Sequence, residues 1–418
     1  MSRTKRSVAV SNPVGKRSGS KWGAITILCV SQVLTMTLWF SATALVPTFL
    51  KAQGADSFQA SLFTSSVQVG FVVGTLISAI FGLADRFDPR QFFMLSSFAA
   101  AATNACITVL DIHSFGVPGM RFLTGMFLAG SYPVGLRMAA TWADGDLGLI
   151  VGLFVASLTL GSASPHLLNA LGGIGWQTAL LTSSVLAVIS GLLITRLKLG
   201  AHWTARGRLD SSHVLDAWKN RALRFANFGY FGHMWELYAM WAWIGLFFTS
   251  SFTATAQVQH PDSRAMFATF LTVASGAVGC LLAGFLADKV GRTIVTIVAM
   301  ATSGLCSLIV GFFYGGNPML LTIVCMVWGV AIVADSAQFS AAVAELSNPR
   351  FIGTMLTIQT SIGFLITLIT IHLTPELVRI IGWRYSFAPL AIGPALGILA
   401  MAKLRRMPES KALARGKR

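Results

Sequence analysis

Two carboxylates, a histidine and an arginine stand in this chain where ionisable side chains are costly. The run Asn227-Phe-Gly-Tyr230-Phe-Gly-His233-Met-Trp235-Glu236-Leu-Tyr238 is largely apolar and aromatic. His233 and Glu236 are three residues apart, so on a helix they share one face. Asp335 lies in a second apolar run, Ala334-Asp335-Ser336-Ala-Gln338, and Arg121 in a third, Arg121-Phe-Leu-Thr-Gly125. A carboxylate removed from water holds its proton more tightly. A charge deep in a bilayer costs about 2.5 kcal/mol or more, and marks an ion path, a proton relay or a buried pair. Glu236, Asp335, His233 and Arg121 are therefore candidates for binding solute and a coupling proton. The plainer alternatives are a structural Glu236–His233 pair and an Arg121 that snorkels to the nearer membrane surface. Trp39, Phe40, Tyr132, Trp241 and Trp243 are candidates to line a cavity, although most aromatics in such runs pack or form interfacial belts.

The elements that carry these residues must be membrane spans. Of 418 residues, 54% are hydrophobic and 11% charged, against about 25% charged in ordinary soluble domains. Residues 22–50 and 92–110 contain no charge at all, and about 20 apolar residues suffice to cross a bilayer. Charge-free runs and turn residues predict twelve helices, over 22–49, 58–84, 91–110, 115–141, 147–171, 177–196, 226–250, 264–287, 293–313, 318–345, 350–373 and 382–402. With both termini cytoplasmic, 26 of the 31 Lys and Arg fall on the inner side. The net charge of +16 is thus a topology signal rather than a nucleic-acid footprint. Cysteines 29, 106, 280, 306 and 325 fall in apolar runs without metal-ligand spacing and read as small packing residues. The basic N-terminus precedes an apolar run too long for a signal peptide, which makes that run the first span.

The polar, basic stretch 199–225 divides the chain six spans from six, and the two parts repeat one another. Phe81-Gly-Leu-Ala-Asp85-Arg86 follows the second span and Gly284-Phe-Leu-Ala-Asp288-Lys289 the eighth. Gly175-Trp176-Gln177 opens the sixth and Gly382-Trp383-Arg384 the twelfth. Repeats of this kind place a substrate site at their interface near the membrane midplane. Residues 199–225 themselves are read either as a short amphipathic helix from Ser211 to Ala222 or as a tether.

These residues resemble the major facilitator superfamily. Its signature loop, G-x-L-a-D-[RK]-x-G-[RK], is matched by Gly284, Asp288, Lys289, Gly291 and Arg292. The first-half copy keeps Asp85 and Arg86 but departs afterwards, with Asp88-Pro89 in place of Gly-Arg and Arg90 one residue late. The resemblance implies a gating motif in which Asp288 faces the start of the fifth span near Asp146. It likewise implies that Asp85 faces the start of the eleventh span at Asn348-Pro349. A carboxylate is favourable at a helix N-terminus, and such contacts exist only while the inner side is shut. Arg121-x-x-x-Gly125 resembles a second family motif. The Gly-Pro pair of the antiporter-type motif is absent, since Gly161 and Pro165 stand four apart.

The fold expected is therefore an all-α integral membrane protein with twelve transmembrane helices in two pseudo-symmetric six-helix bundles. A tail over 1–21 precedes a bundle over 22–198, the loop 199–225, a bundle over 226–403 and a tail over 404–418. The function expected is secondary transport of a small polar or anionic solute by alternating access, driven by a proton or other cation gradient. Proton-driven efflux of drugs or metabolites is the alternative. The chain shows no nucleophile motif, metal cluster or P-loop, so neither an enzyme nor a cofactor is expected. The expected setting is a bacterial inner membrane, with membrane lipids around a monomer.

Overall fold

The computed structural model describes residues 20–46, 57–144, 146–171, 175–200, 215–255, 258–348 and 351–418. The described residues are overwhelmingly helical and contain no strand. The helices are α1 (Lys21–Met36), α2 (Ser57–Phe81), α3 (Pro89–Cys106), α4 (Gly116–Leu128), α5 (Tyr132–Ala140), α6 (Leu147–Ala170) and α7 (Trp176–Ile194). The second half contributes α8 (Arg221–Thr253), α9 (Pro261–Val290), α10 (Arg292–Ile309), α11 (Pro318–Ala334), α12 (Ser336–Leu346), α13 (Ile352–Ile381) and α14 (Ile392–Arg406). Nine stretches among the described residues are long and apolar enough to cross a membrane unaided.

The other three expected spans differ from simple apolar rods. The 16 residues of α1 reach about 24 Å, short of a hydrocarbon core of about 30 Å. The chain continues through a turn at 37–42 into a 3-10 turn at Thr43–Leu45. The expected fourth span is broken into α4 and α5 around Gly130-Ser131, with Pro133 in the first turn of α5. The expected seventh span is the continuous 33-residue α8, diluted in apolarity by Asn227, His233 and Glu236. It starts at Arg221, inside the expected loop, because Asn220 Oδ1 accepts from the amides of Ala222 and Leu223 and caps it there. Most of 199–225, the tail over 1–19, Lys51 and Pro349 lie outside the described residues, as does the side chain of Asp85.

Helices approach most closely where glycine removes the side chain. A Cβ on Gly70 of α2 would stand 1.8 Å from the Phe122 carbonyl oxygen, and one on Gly125 of α4 1.9 Å from that of Val67. The same reciprocal seam recurs between α9 and α11. A Cβ on Gly279 would stand 2.0 Å from the Val330 oxygen, and one on Gly329 1.9 Å from the Thr272 oxygen. Gly70 and Gly279 are 209 positions apart and Gly125 and Gly329 204, within a few residues of the 203 and 207 that separate the repeated loops. Across the halves, α6 packs on α9 and α2 on α13.

One end of the molecule gathers Lys21, Asp146, Asp288 and residues 408–418. The tail folds back there with Ser410 and Leu413 fully buried. Lys417 Nζ donates to the Asp288 carbonyl at 2.8 Å, and the Ala414 amide to Glu345 Oε2 at 3.1 Å. Arg405 donates to the Arg418 carbonyl at 3.2 Å and to Thr293 Oγ1 at 3.0 Å.

Candidate functional site

The acid pair sorts differently from the spacing expectation. His233 does not pair with Glu236, its neighbour on α8; its Nδ1 lies 2.8 Å from Asp335 Oδ1. Asp335 closes α11 and opens α12, so the carboxylate sits at a break in the helix. Helix ends leave backbone groups without intrahelical partners, and such breaks at membrane depth are tolerated where they are buried in protein or line a cavity. His233 Nε2 is buried without a partner. Glu236 is held elsewhere: Trp328 Nε1 donates to Oε1 and Ser303 Oγ to Oε2, each at 2.8 Å. Both of its oxygens thus point into the C-terminal half, toward α10 and α11. Trp328 and Ser303 were not legible as partners, since they lie 92 and 67 residues away.

Arg121 is fully buried and faces the interior rather than snorkelling. Its Nη1 donates to the Leu38 carbonyl at 2.9 Å, Ser41 Oγ at 3.1 Å and Asn104 Oδ1 at 3.3 Å. Nη2 donates to the Trp39 carbonyl at 2.5 Å and Nε to the Phe63 carbonyl at 3.0 Å. Leu38 and Trp39 lie in the turn that follows α1, and a cation is favourable just beyond a helix C-terminus. Among the described residues no carboxylate pairs with Arg121. Asn104, an amide stranded in the apolar third span over 91–110, is a visible signal for this network.

The turn that Arg121 holds presents Trp39 and Phe40 to the other half of the chain. Trp39 meets Phe71, Tyr238 and Phe364 at centroid separations of 5.0, 6.0 and 5.7 Å. Phe40 meets Tyr238 and Trp241 at 6.3 and 5.7 Å. Of the remaining cavity candidates, Tyr132 stacks on Phe154, and Trp243 donates to the Ile371 carbonyl at 2.9 Å. Beside the rings, Gln68 accepts from Thr367, and His372 Nε2 meets Ser65 Oγ at 3.0 Å, both across the halves.

The signature loop lies at the basic end. The φ of +98° at Gly291 is one that side-chain-bearing residues rarely adopt. Gly82 (φ +61°) bends the chain after α2 at a different point, before Asp85 and one residue later than the signature's leading glycine. Gly284 stands where a Cβ would be 3.1 Å from the Gly148 carbonyl, letting α6 and α9 close. The Asp288 carboxylate lies over the first turn of α6, 2.8 Å from where a Cβ on Gly148 would be. Arg292 grips Glu345 at 2.7 and 2.8 Å and Gln338 at 2.8 Å. Lys289 stacks its ammonium over Phe285 at 3.8 Å, and Arg86 is exposed. Asp88 caps α3 through the Arg90 amide at 2.9 Å, while the Arg90 guanidinium beside it holds its carboxyl below the usual range. Arg90 also reaches the Leu197 carbonyl at 3.2 Å, tying α3 to the residues that follow α7.

Apolar spans and helix breaks at buried polar residues define a multi-pass membrane protein. Residues 28–334 match the Major Facilitator Superfamily, and the chain belongs to that family. A crystal structure of the nucleoside transporter NupG, a point mutant, superposes with a TM-score of 0.71 at 16% identity, covering 91% of this chain and 99% of that one. That likeness concerns the fold. The gentisate transporter of Corynebacterium glutamicum is 26% identical over 144 residues, which is 31% of this chain and 32% of that protein. The match thus spans about a third of the curated relative's length.

Proposed function

We propose that this protein is a secondary active transporter that moves a small polar or anionic solute by alternating access, coupled to a proton exchanged at the His233–Asp335 pair. The observation that carries this reading is the position of Asp335. It is 1% exposed, sits at a helix break, and lies 2.8 Å from an imidazole whose other nitrogen has no partner. A buried carboxylate and imidazole can share or release a proton as their surroundings open to either side. Glu236, with both oxygens satisfied by donors of its own half, acts instead as an anchor between α8, α10 and α11. The gentisate transporter supports an organic anion as the solute class. Twelve spans in two six-helix bundles, with both termini cytoplasmic in a bacterial inner membrane, accommodate the glycine seams and the Lys/Arg bias.

The test is proteoliposomes with an imposed pH gradient, supplied with a panel of small organic anions that includes gentisate. Asp335→Asn should abolish uphill accumulation and the accompanying proton movement while leaving solute exchange intact. Glu236→Gln should keep coupling and melt at a lower temperature. A folded Asp335→Asn protein that still accumulates solute against its gradient would remove the pair from the mechanism.

A further inference from the structure

Six buried rings close on one another between the halves: Trp39, Phe40 and Phe71 from one, Tyr238, Trp241 and Phe364 from the other. Their planes are mostly tilted or edge-on, at interplanar angles from 39° to 75°, apart from the nearly parallel Phe40–Tyr238 pair. Few of the faces are already spent on stacking. Two of the rings are indoles whose Nε1 is buried without an acceptor, although buried tryptophans usually find one. Gln68 sits three residues before Phe71 on the same face of α2, and its Nε2 is also unpaired. Directly behind Trp39 lies the Arg121 guanidinium, bonded only to neutral oxygens. A buried charge without a counter-charge favours an anion nearby. Apolar walls, a few fixed donors and an uncompensated cation are the makings of a recognition site.

We infer that the transported solute bears a planar aromatic ring with an anionic, acceptor-rich edge, and that this six-ring cluster is where it binds. The inference rests on the transporter reading and names the solute class of its central site. When the halves rock apart, the cluster divides into two aromatic walls. A flat ring restores ring contacts with both walls, and its carboxylate accepts from the unpaired indole N–H groups. A saturated ring or an uncharged amide satisfies only one of these demands.

Binding to the purified protein in lipid nanodiscs, measured calorimetrically without any gradient, tests the site. Benzoate should bind about tenfold or more tightly than cyclohexanecarboxylate or benzamide, and Trp241→Phe, which keeps a ring but removes the N–H, should weaken benzoate about tenfold, corresponding to about 1.4 kcal/mol. Phe364→Leu provides a second variant, with thermal melting as the check on folding for both. Equal affinity for benzoate and cyclohexanecarboxylate, no benzoate binding, or unchanged affinity in folded Trp241→Phe would each overturn the inference. No proton gradient enters this measurement, so benzoate binding without gradient-driven uptake would sink the coupling reading alone. Gradient-driven uptake of an aliphatic acid that Trp241→Phe leaves untouched would sink the ring site and spare coupling.

Discussion

Arg121 shows how a side chain's surroundings decide its role. A guanidinium at membrane depth suggests a charge carrier, yet here it is bound to the carbonyls of Leu38, Trp39 and Phe63 and to two polar side chains. These bonds fix the turn after α1 that carries Trp39 and Phe40. Arg121→Met, similar in length but without donors, should cost about 1–3 kcal/mol for each buried acceptor left without a partner. Thermal unfolding in detergent would read this loss, and Arg121→Lys should recover only part of it, since an ammonium lacks the planar fork. Unchanged melting in Arg121→Met would show that the carbonyls do not depend on it. The sequence made the cost of burying Arg121 plain. Its partners were out of reach, because they belong to three other segments brought together only by folding. The same holds for Glu236, whose spacing from His233 pointed to a pair, while tertiary packing gave each a different partner.

At the scale of elements, the predicted helices exist because apolar runs of sufficient length leave the backbone no other way to satisfy itself in a membrane. Their interruptions were legible unevenly. The break between α4 and α5 falls at Gly130, Ser131 and Pro133, signals that the expected unbroken span over 115–141 passed over. The break at Asp335 falls in a run with neither glycine nor proline within five residues, so propensity could not reveal it. The glycine seams yield a sharp contrast. Gly329→Ala puts a Cβ 1.9 Å from the Thr272 oxygen and should cost about 1–3 kcal/mol as α9 and α11 are forced apart. Gly353→Ala near the start of α13 meets nothing within 4 Å and should be neutral or slightly stabilising. Chemical or thermal melting of the two variants checks both, and equal effects would refute the seam. Because backbone touches backbone in α2–α4 and α9–α11, these pairs resist sliding, and the rocking proposed above would be taken up at the α6–α9 and α2–α13 contacts.

For the whole molecule, Lys21, Asp146, α6 and Asp288 meet at the basic end, and we propose that this contact acts as a latch. The Lys21 ammonium, 2.6 Å from Asp146, holds that carboxyl below the usual carboxylate range. A depressed carboxyl contributes stability above its unfolded value, about 3.9, and loses it as pH falls through the lower folded value. The latch should therefore hold from neutral pH to about pH 4 and weaken below it. Asp146→Asn should loosen it at neutral pH by up to about 1 kcal/mol. Labelling of a cysteine placed in the first turn of α6 reports this, and identical labelling in wild type and Asp146→Asn at neutral pH would dismiss the ion pair as a latch. The folded-back tail has a practical consequence. With the Arg418 carbonyl packed on Gly291 and Lys417 on the Asp288 backbone, anything fused after Arg418 begins inside the latch. If the contact is a latch as proposed, a reporter or purification handle there is a wedge, and turnover should change when the handle is cut away.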